Sequence, residues 1–309
     1  MSSRGRFGSR SLFLAAFLCL GCLRLAAQPA EAPDAALVHW AAVDGIAVRY
    51  LDTGPQEETS QKRTILLVHG FCGAGSHFQQ LFPFLADAGR CVAVDLPGCA
   101  GSEKPDADYS VAYFVDFLDS FCRTLKLTRV ILVGHSMGGQ IAVHFTRSFP
   151  DRVDRLVLLA PDGLAGEEGI WLALTELGPL LEAGFSRTNR SMVEILLRTV
   201  VFGDTTALRP EVVDTFASQL DTVEGIRALA AITREVIGHD PVDDILPLIP
   251  HETLVLWGAE DRLLKPRWAQ RYAELLPRAE LVMLAGCGHE LMMEDPQGAA
   301  ARIRQFVSR

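Results

Sequence analysis

The chain has 309 residues, 49% of them hydrophobic and 22% charged, which is ordinary for a globular protein and leaves room for one large α/β domain, an insertion and a sizeable core. A formal net charge of −9 excludes non-specific nucleic-acid binding and a basic membrane-surface patch. Two of the seven cysteines lie near the N-terminus; the other five (Cys72, Cys91, Cys99, Cys122 and Cys287) show neither paired nor zinc spacing, so neither a disulfide framework nor a zinc site is expected.

Residues 1–30 differ from the rest. Arg4, Arg6 and Arg10 precede an apolar stretch from Leu12 to Leu23, then Leu25-Ala26-Ala27 and a linker from Gln28 to Pro33. This pattern reads as an export signal or N-terminal membrane anchor, and predicts a periplasmic or secreted protein. The apolar stretch is short for a membrane span, which needs about 20 residues. Cleavage, retention, and lipidation at Gly21-Cys22 stay open.

Residues 31–161 then read as the first part of an α/β core. Ala36–Val43 and Ile46–Leu51 form a predicted hairpin across Asp44-Gly45. Strands follow at Thr64–His69, Cys91–Asp95, Val130–Gly134 and Arg155–Ala160, with helices at His77–Ala88, Val111–Leu125 and Met137–Phe149. Strands that are apolar throughout, alternating with amphipathic helices, imply a parallel sheet covered on both faces. Residues 162–244 carry helical spacing only, for example Ile170, Leu174, Leu177 and Leu181, and predict an inserted cap or lid. Residues 245–309 resume the core, with strands at Thr253–Gly258 and Glu280–Gly286, a helix between them and another at Gln297–Val307.

The chemistry concentrates at Gly134-His135-Ser136-Met137-Gly138. A strand, a sharp turn carrying a serine and a helix follow one another, which pushes the hydroxyl out of the backbone and aims the first helical N–H groups at the same point. A serine needs a base to accept its proton, and the base needs an acid to orient it. Trp257-Gly258-Ala259-Glu260-Asp261 and Gly286-Cys287-Gly288-His289 supply both on loops after later strands, in the order serine, acid, histidine.

With Val68-His69-Gly70-Phe71, Asp95-Leu96-Pro97-Gly98, Gly134 to Gly139, Trp257-Gly258 with Asp261 and Pro266, and Gly288-His289 with Glu294 and Pro296, the chain resembles the α/β-hydrolase superfamily over residues 37–309. The resemblance is to its capped serine esterase, monoacylglycerol-lipase-like branch. It implies an α/β-hydrolase fold: a mostly parallel eight-stranded sheet with helices on both faces and an inserted helical cap. It also implies Ser136 as nucleophile, Asp261 as acid, His289 as general base, and an oxyanion hole from the backbone N–H groups of Phe71 and Met137. One departure from the family's Gly-x-Gly-x-Ser loop is Ala100 in Gly98-Cys99-Ala100-Gly101-Ser102.

Other readings compete at single residues. Ser136 could serve as a helix N-cap. Glu260 and Asp162 are alternative acids, and His135 an alternative base. Cys72 and Cys287 read as small fillers, and Asn189-Arg190-Ser191 is a weak glycosylation pattern. The function expected is hydrolysis of carboxylic esters, lipidic or acylglycerol-type, without a metal or organic cofactor and without a nucleic-acid partner. The alternatives are a carbon–carbon bond hydrolase of ring-cleavage products and a non-catalytic hydrolase-like binding protein.

Overall fold

Val130–His135 and Thr253–Gly258 are buried at every position, as continuous apolar runs must be when helices cover both faces of a sheet. They belong to an eight-stranded sheet in a computed structural model that describes Asp34 and residues 37–54, 63–166 and 190–309. The strands are β1 (Val38–Val43), β2 (Ile46–Asp52), β3 (Arg63–Val68), β4 (Gly89–Val94), β5 (Val130–His135), β6 (Val153–Leu159), β7 (Thr253–Gly258) and β8 (Ala279–Leu284). Their order is β1-β2-β4-β3-β5-β6-β7-β8, with β1 and β2 antiparallel to their neighbours and the rest parallel.

The described helices are α1 (Phe82–Leu85), α2 (Val111–Thr124), α3 (Met137–Ser148), α4 (Arg190–Leu196), α5 (Pro210–Ser218), α6 (Val223–Glu235), α7 (Arg267–Leu275), α8 (Leu291–Glu294) and α9 (Pro296–Val307). Ser110 caps α2 by accepting from the Tyr113 amide, and the helix buries Phe114, Phe117, Leu118 and Phe121. The helix expected over His77–Ala88 is instead a 3₁₀ turn, Gly75–Leu81, followed by the short α1. Pro83 explains the break: it has no N–H to continue the ladder, so the chain closes one turn and starts another.

Between β6 and β7 the described residues contain no strand. They form α4, a π turn at Leu197–Val201, α5 and α6. The two stems of this insertion are tied together where Val242 N donates to Gly163 O (2.9 Å) and Ala165 N to Asp243 Oδ2 (2.8 Å). Gln140, on α3, holds one stem by donating to His239 O (2.7 Å) and Asp240 O (3.1 Å). The predicted signal or anchor, the linker, the apolar positions Ile170 to Leu181 and Asn189 lie outside the described residues. No described helix is long and apolar enough to cross a membrane.

The loop after β4 is organised by Asp95, which is fully buried. Its Oδ1 accepts from Gly75 N (2.7 Å), and its Oδ2 from Gly101 N (3.0 Å) and Arg49 Nε (2.5 Å). Ala100 sits inside this loop at φ +43°. The alanine has therefore not abolished the left-handed turn, which the bonds to Asp95 hold in place. Left-handed backbone costs a Cβ-bearing residue about 1–2 kcal/mol, and the extra freedom of glycine in the unfolded chain offsets about 0.4–1 kcal/mol. Ala100→Gly is therefore expected to stabilise the fold by about 0.5–1 kcal/mol in urea unfolding. A lower midpoint in the variant would mean that the turn is unstrained.

Candidate active site

β5 ends at His135 and α3 begins at Met137, so Ser136 alone makes the turn, at φ +53° and ψ −124°. Such a backbone costs about 1–3 kcal/mol and persists only where its surroundings over-determine it. Ser136 N donates to Leu159 O (3.1 Å), and Ser136 O accepts from the amides of Gly139 (2.8 Å), Gln140 (3.2 Å) and Asp162 (3.0 Å). Strand and helix meet too closely for side chains. A Cβ on Gly134 would lie 2.4 Å from Gly138 O, and one on Gly138 would lie 2.4 Å from Val68 O. The Ser136 side chain makes no capping hydrogen bond, so the N-cap role is not the one it plays.

Asp261 and His289 meet on the loops after β7 and β8. Asp261 Oδ1 accepts from the amides of Leu263 (2.9 Å) and Leu264 (2.8 Å), leaving Oδ2 to the Nδ1 of His289 at 2.8 Å. Both side chains are buried, and the carboxylate cannot rotate away without losing amide bonds. Burial pulls the pKa of His289 down, but the charge and hydrogen bond of Asp261 outweigh it, with smaller contributions from Glu290 and Asp162, and the pKa stands above the ordinary histidine value. Glu290 is itself pushed up to about 8 by burial, so at neutral pH the principal anion facing His289 is Asp261.

The backbone of His289 is fixed from both sides. Its N–H donates to Val201 O (2.8 Å), and its carbonyl accepts from His135 Nε2 (3.1 Å). The His135 and His289 rings lie 4.7 Å apart. Burial keeps the His135 pKa well below the ordinary value, so it is a neutral donor next to Ser136 and not a second base. Ser136 and His289 are thus brought together through His135; their own side chains form no hydrogen bond to each other. In unliganded sites such catalytic bonds are often long and tighten when substrate binds.

Phe71 and Met137 flank the serine. His69 Nε2 accepts from Leu96 N (3.0 Å), which leaves the ring proton on Nδ1 to be donated to Gly70 O (2.8 Å). Gly73 N also donates to Gly70 O (3.0 Å). Gly70 O and Phe71 N belong to one trans peptide, so anchoring the carbonyl sends the Phe71 N–H the opposite way. A Cβ on Gly70 would lie 2.8 Å from Ser136 Cβ, which puts this peptide directly beside the serine. Met137 is the first residue of α3, whose opening N–H groups have no acceptor within the helix.

The remaining candidates fall elsewhere. Glu260 is exposed. Asp162 accepts from the Gly163 amide (2.8 Å) and acts on His289 only as a weaker charge. The five core cysteines are free thiols; burial raises the Cys72 pKa and pushes Cys287 up to about 12, so neither is a thiolate. Among the described residues no group of three or more His, Cys, Asp or Glu is placed to hold a metal ion. Sequence reasoning missed Glu290, Gln140 and the backbone carbonyl of Val201. Glu290 had a signal, an acidic residue immediately before the apolar run Leu291-Met292-Met293.

A family model for the alpha/beta hydrolase fold matches residues 63–296, and the chain belongs to that family. It is a hydrolase, and its relatives carry out different reactions. It is 28% identical over 260 residues to the 2-hydroxymuconate semialdehyde hydrolase of Pseudomonas sp. strain CF600, covering 79% of this chain and 86% of the relative. It is 24% identical over 287 residues to the cis-3-alkyl-4-alkyloxetan-2-one decarboxylase of Shewanella oneidensis, covering 87% and 88%. Among solved structures it resembles a membrane phospholipase A described as a bacterial virulence factor, with a TM-score of 0.74 and 27% identity over 88% of this chain and 85% of the other.

The Asp261–His289 pair yields a direct titration test. In the wild type the His289 imidazole is expected to titrate above 6.5 by NMR, because the Asp261 anion favours the imidazolium. In Asp261→Asn only burial and the weaker charges remain, and the pKa should fall below that of the wild type. An unchanged titration would show that Asp261 is not the anion in control.

Proposed function

We propose that the protein hydrolyses carboxylic esters, lipidic or acylglycerol-type, through an acyl-enzyme on Ser136. The observation that carries this reading is the buried 2.8 Å hydrogen bond between Asp261 and His289, next to a serine held in a strained turn. Ser136 Oγ attacks the ester carbonyl carbon while His289 Nε2 accepts its proton, and Asp261 steadies the imidazolium through Nδ1. The negative charge moves to the carbonyl oxygen, where the N–H groups of Phe71 and Met137 receive it. The carbon–oxygen bond to the alcohol breaks, and the alcohol departs with the proton from His289. Water then attacks the acyl-enzyme by the same route, giving the acid and free Ser136.

The lipidic class draws support from two features. The similarity to the membrane phospholipase A is one. The other is the inserted helical segment, read as a cap, where Met192, Ile195 and Leu196 expose apolar side chains at helical spacing. In the same reading the N-terminal segment exports the protein, so the substrate would be met outside the cytoplasm. A second reading, hydrolysis of a carbon–carbon bond in a ring-cleavage product, is favoured by the 28% identity to the 2-hydroxymuconate semialdehyde hydrolase. The same serine, histidine and oxyanion donors would serve it.

A panel of p-nitrophenyl esters from short to long chains, monoacylglycerols and a 2-hydroxy-6-oxo-dienoate separates the two. The expected result is highest kcat/KM on medium-chain esters or monoacylglycerols, with an acid limb governed by His289. Ser136→Ala should lower kcat by at least about 10⁴-fold without changing the fold, and should abolish fluorophosphonate labelling. Turnover of the dienoate alone would select the carbon–carbon reading, and unchanged ester turnover in Ser136→Ala would sink both.

A further inference from the structure

Glu294 closes the short helix α8 that follows His289, and its carboxylate gathers backbone amides from two distant segments. Oε2 accepts from Gly203 N (2.8 Å), Asp204 N (2.7 Å) and Gly288 N (3.0 Å), and Oε1 also accepts from Gly288 N (3.0 Å). Gly203 and Asp204 belong to the inserted helical segment, just after the π turn at Leu197–Val201, whereas Gly288 immediately precedes His289.

The wide π turn explains why these segments can meet. Phe202 N donates to Leu197 O (2.9 Å), one residue beyond α-helical spacing, and the Val201 carbonyl turns to the His289 amide at 2.8 Å. The two backbones touch without room for side chains. A Cβ on Gly203 would lie 2.6 Å from Gly288 N, and one on Gly288 would lie 2.3 Å from Gly203 N and 2.6 Å from Val201 O. Together these contacts leave the main chain of His289 seated on the insertion rather than on the sheet alone.

We propose that Glu294 is a positioning residue for His289: by clamping residues 203–204 to residue 288, it makes the π turn and the histidine loop one unit and holds the imidazole against Asp261. The inference rests on the reading of His289 as general base, and adds a form of regulation to it. Any displacement of residues 201–204 that draws Val201 away from His289 slows the base. A misplacement of about 1 Å can cost roughly 10²-fold in rate, so a clamp of this kind need move only slightly to matter.

The test compares full-length wild type with Glu294→Ala, Glu294→Gln and Gly203→Ala. The last forces the two loops apart without touching the carboxylate, so it remains informative if Glu294→Ala fails to fold. Two quantities are read, p-nitrophenyl ester turnover as a function of pH and the His289 imidazole titration by NMR. Glu294→Ala and Gly203→Ala are expected to lower kcat by roughly 10- to 10²-fold with KM nearly unchanged. They should also move both the acid limb and the imidazole titration to lower pH, because His289 loosened from Asp261 is left to burial. Glu294→Gln keeps one carbonyl acceptor and should fall in between. A purely structural role would lower the melting temperature and leave both titrations in place, and that result overturns the proposal. A wild type inactive on esters, with the imidazole shifted in the variants, would overturn the ester reading and retain the clamp.

Discussion

The site depends on the backbone of one residue. Ser136 occupies a conformation that costs free energy by itself, and it is stabilised because three segments hydrogen-bond to its two peptide groups: the end of β6, the first turn of α3 and the loop at Asp162. Those segments are adjacent only when the parallel strands are in register. Ile131 to His135 of β5 pair with Arg155 to Leu159 of β6, and Thr64 to Val68 of β3 pair with Val130 to Gly134. The sheet is therefore a condition for the turn, and the turn is what projects the hydroxyl. Glycine at positions 134 and 138 removes two Cβ atoms that would collide with the neighbouring backbone there.

Electrostatically, the site is sparing. His135 lies beside His289, with His69 and His77 buried near His135 in turn, and burial lowers the pKa of each, so they stay neutral at physiological pH. Glu290 is kept largely protonated for the same reason. Desolvation thus leaves Asp261 as the carboxylate in hydrogen-bond contact with His289, so an imidazolium at this position would have one strong partner. Two of these neutral histidines act by hydrogen bonding. His69 orients the Gly70–Phe71 peptide, and His135 holds the carbonyl of His289.

Much of this was legible in the sequence because it is carried by local signals. Continuous apolar runs such as Val130–Gly134 mark buried parallel strands, and a glycine-flanked serine between strand and helix marks the turn. The placement of Asp261 and His289 on successive loops also reads directly, and the alternatives at Glu260 and Asp162 required coordinates, because only distance separates a partner from a neighbour. Pro83 redirected a helix whose apolar spacing looked continuous. At Ala100, where the sequence departs from the family's loop, the bonds to Asp95 hold the backbone in the left-handed region, an instance of tertiary structure overriding residue preference. Glu294 was visible in the sequence as a mark spaced after Gly288-His289, but the main-chain amides it binds at Gly203 and Asp204 lie about ninety residues away and carry no readable signal.

The relatives carry out distinct reactions on one scaffold, which means the fold and the family motifs do not choose the bond that is cleaved. That choice must come from whatever surrounds the substrate, and in this chain the largest departure from the sheet-and-helix core is the insertion between β6 and β7. Here its π turn supplies the acceptor for the His289 amide, and its next two residues share a carboxylate with the histidine loop. An insertion that changes shape therefore cannot leave the main chain of His289 untouched. On the reading proposed for Glu294 and His289, the shape of the insertion and the alignment of the base are then coupled through these main-chain bonds.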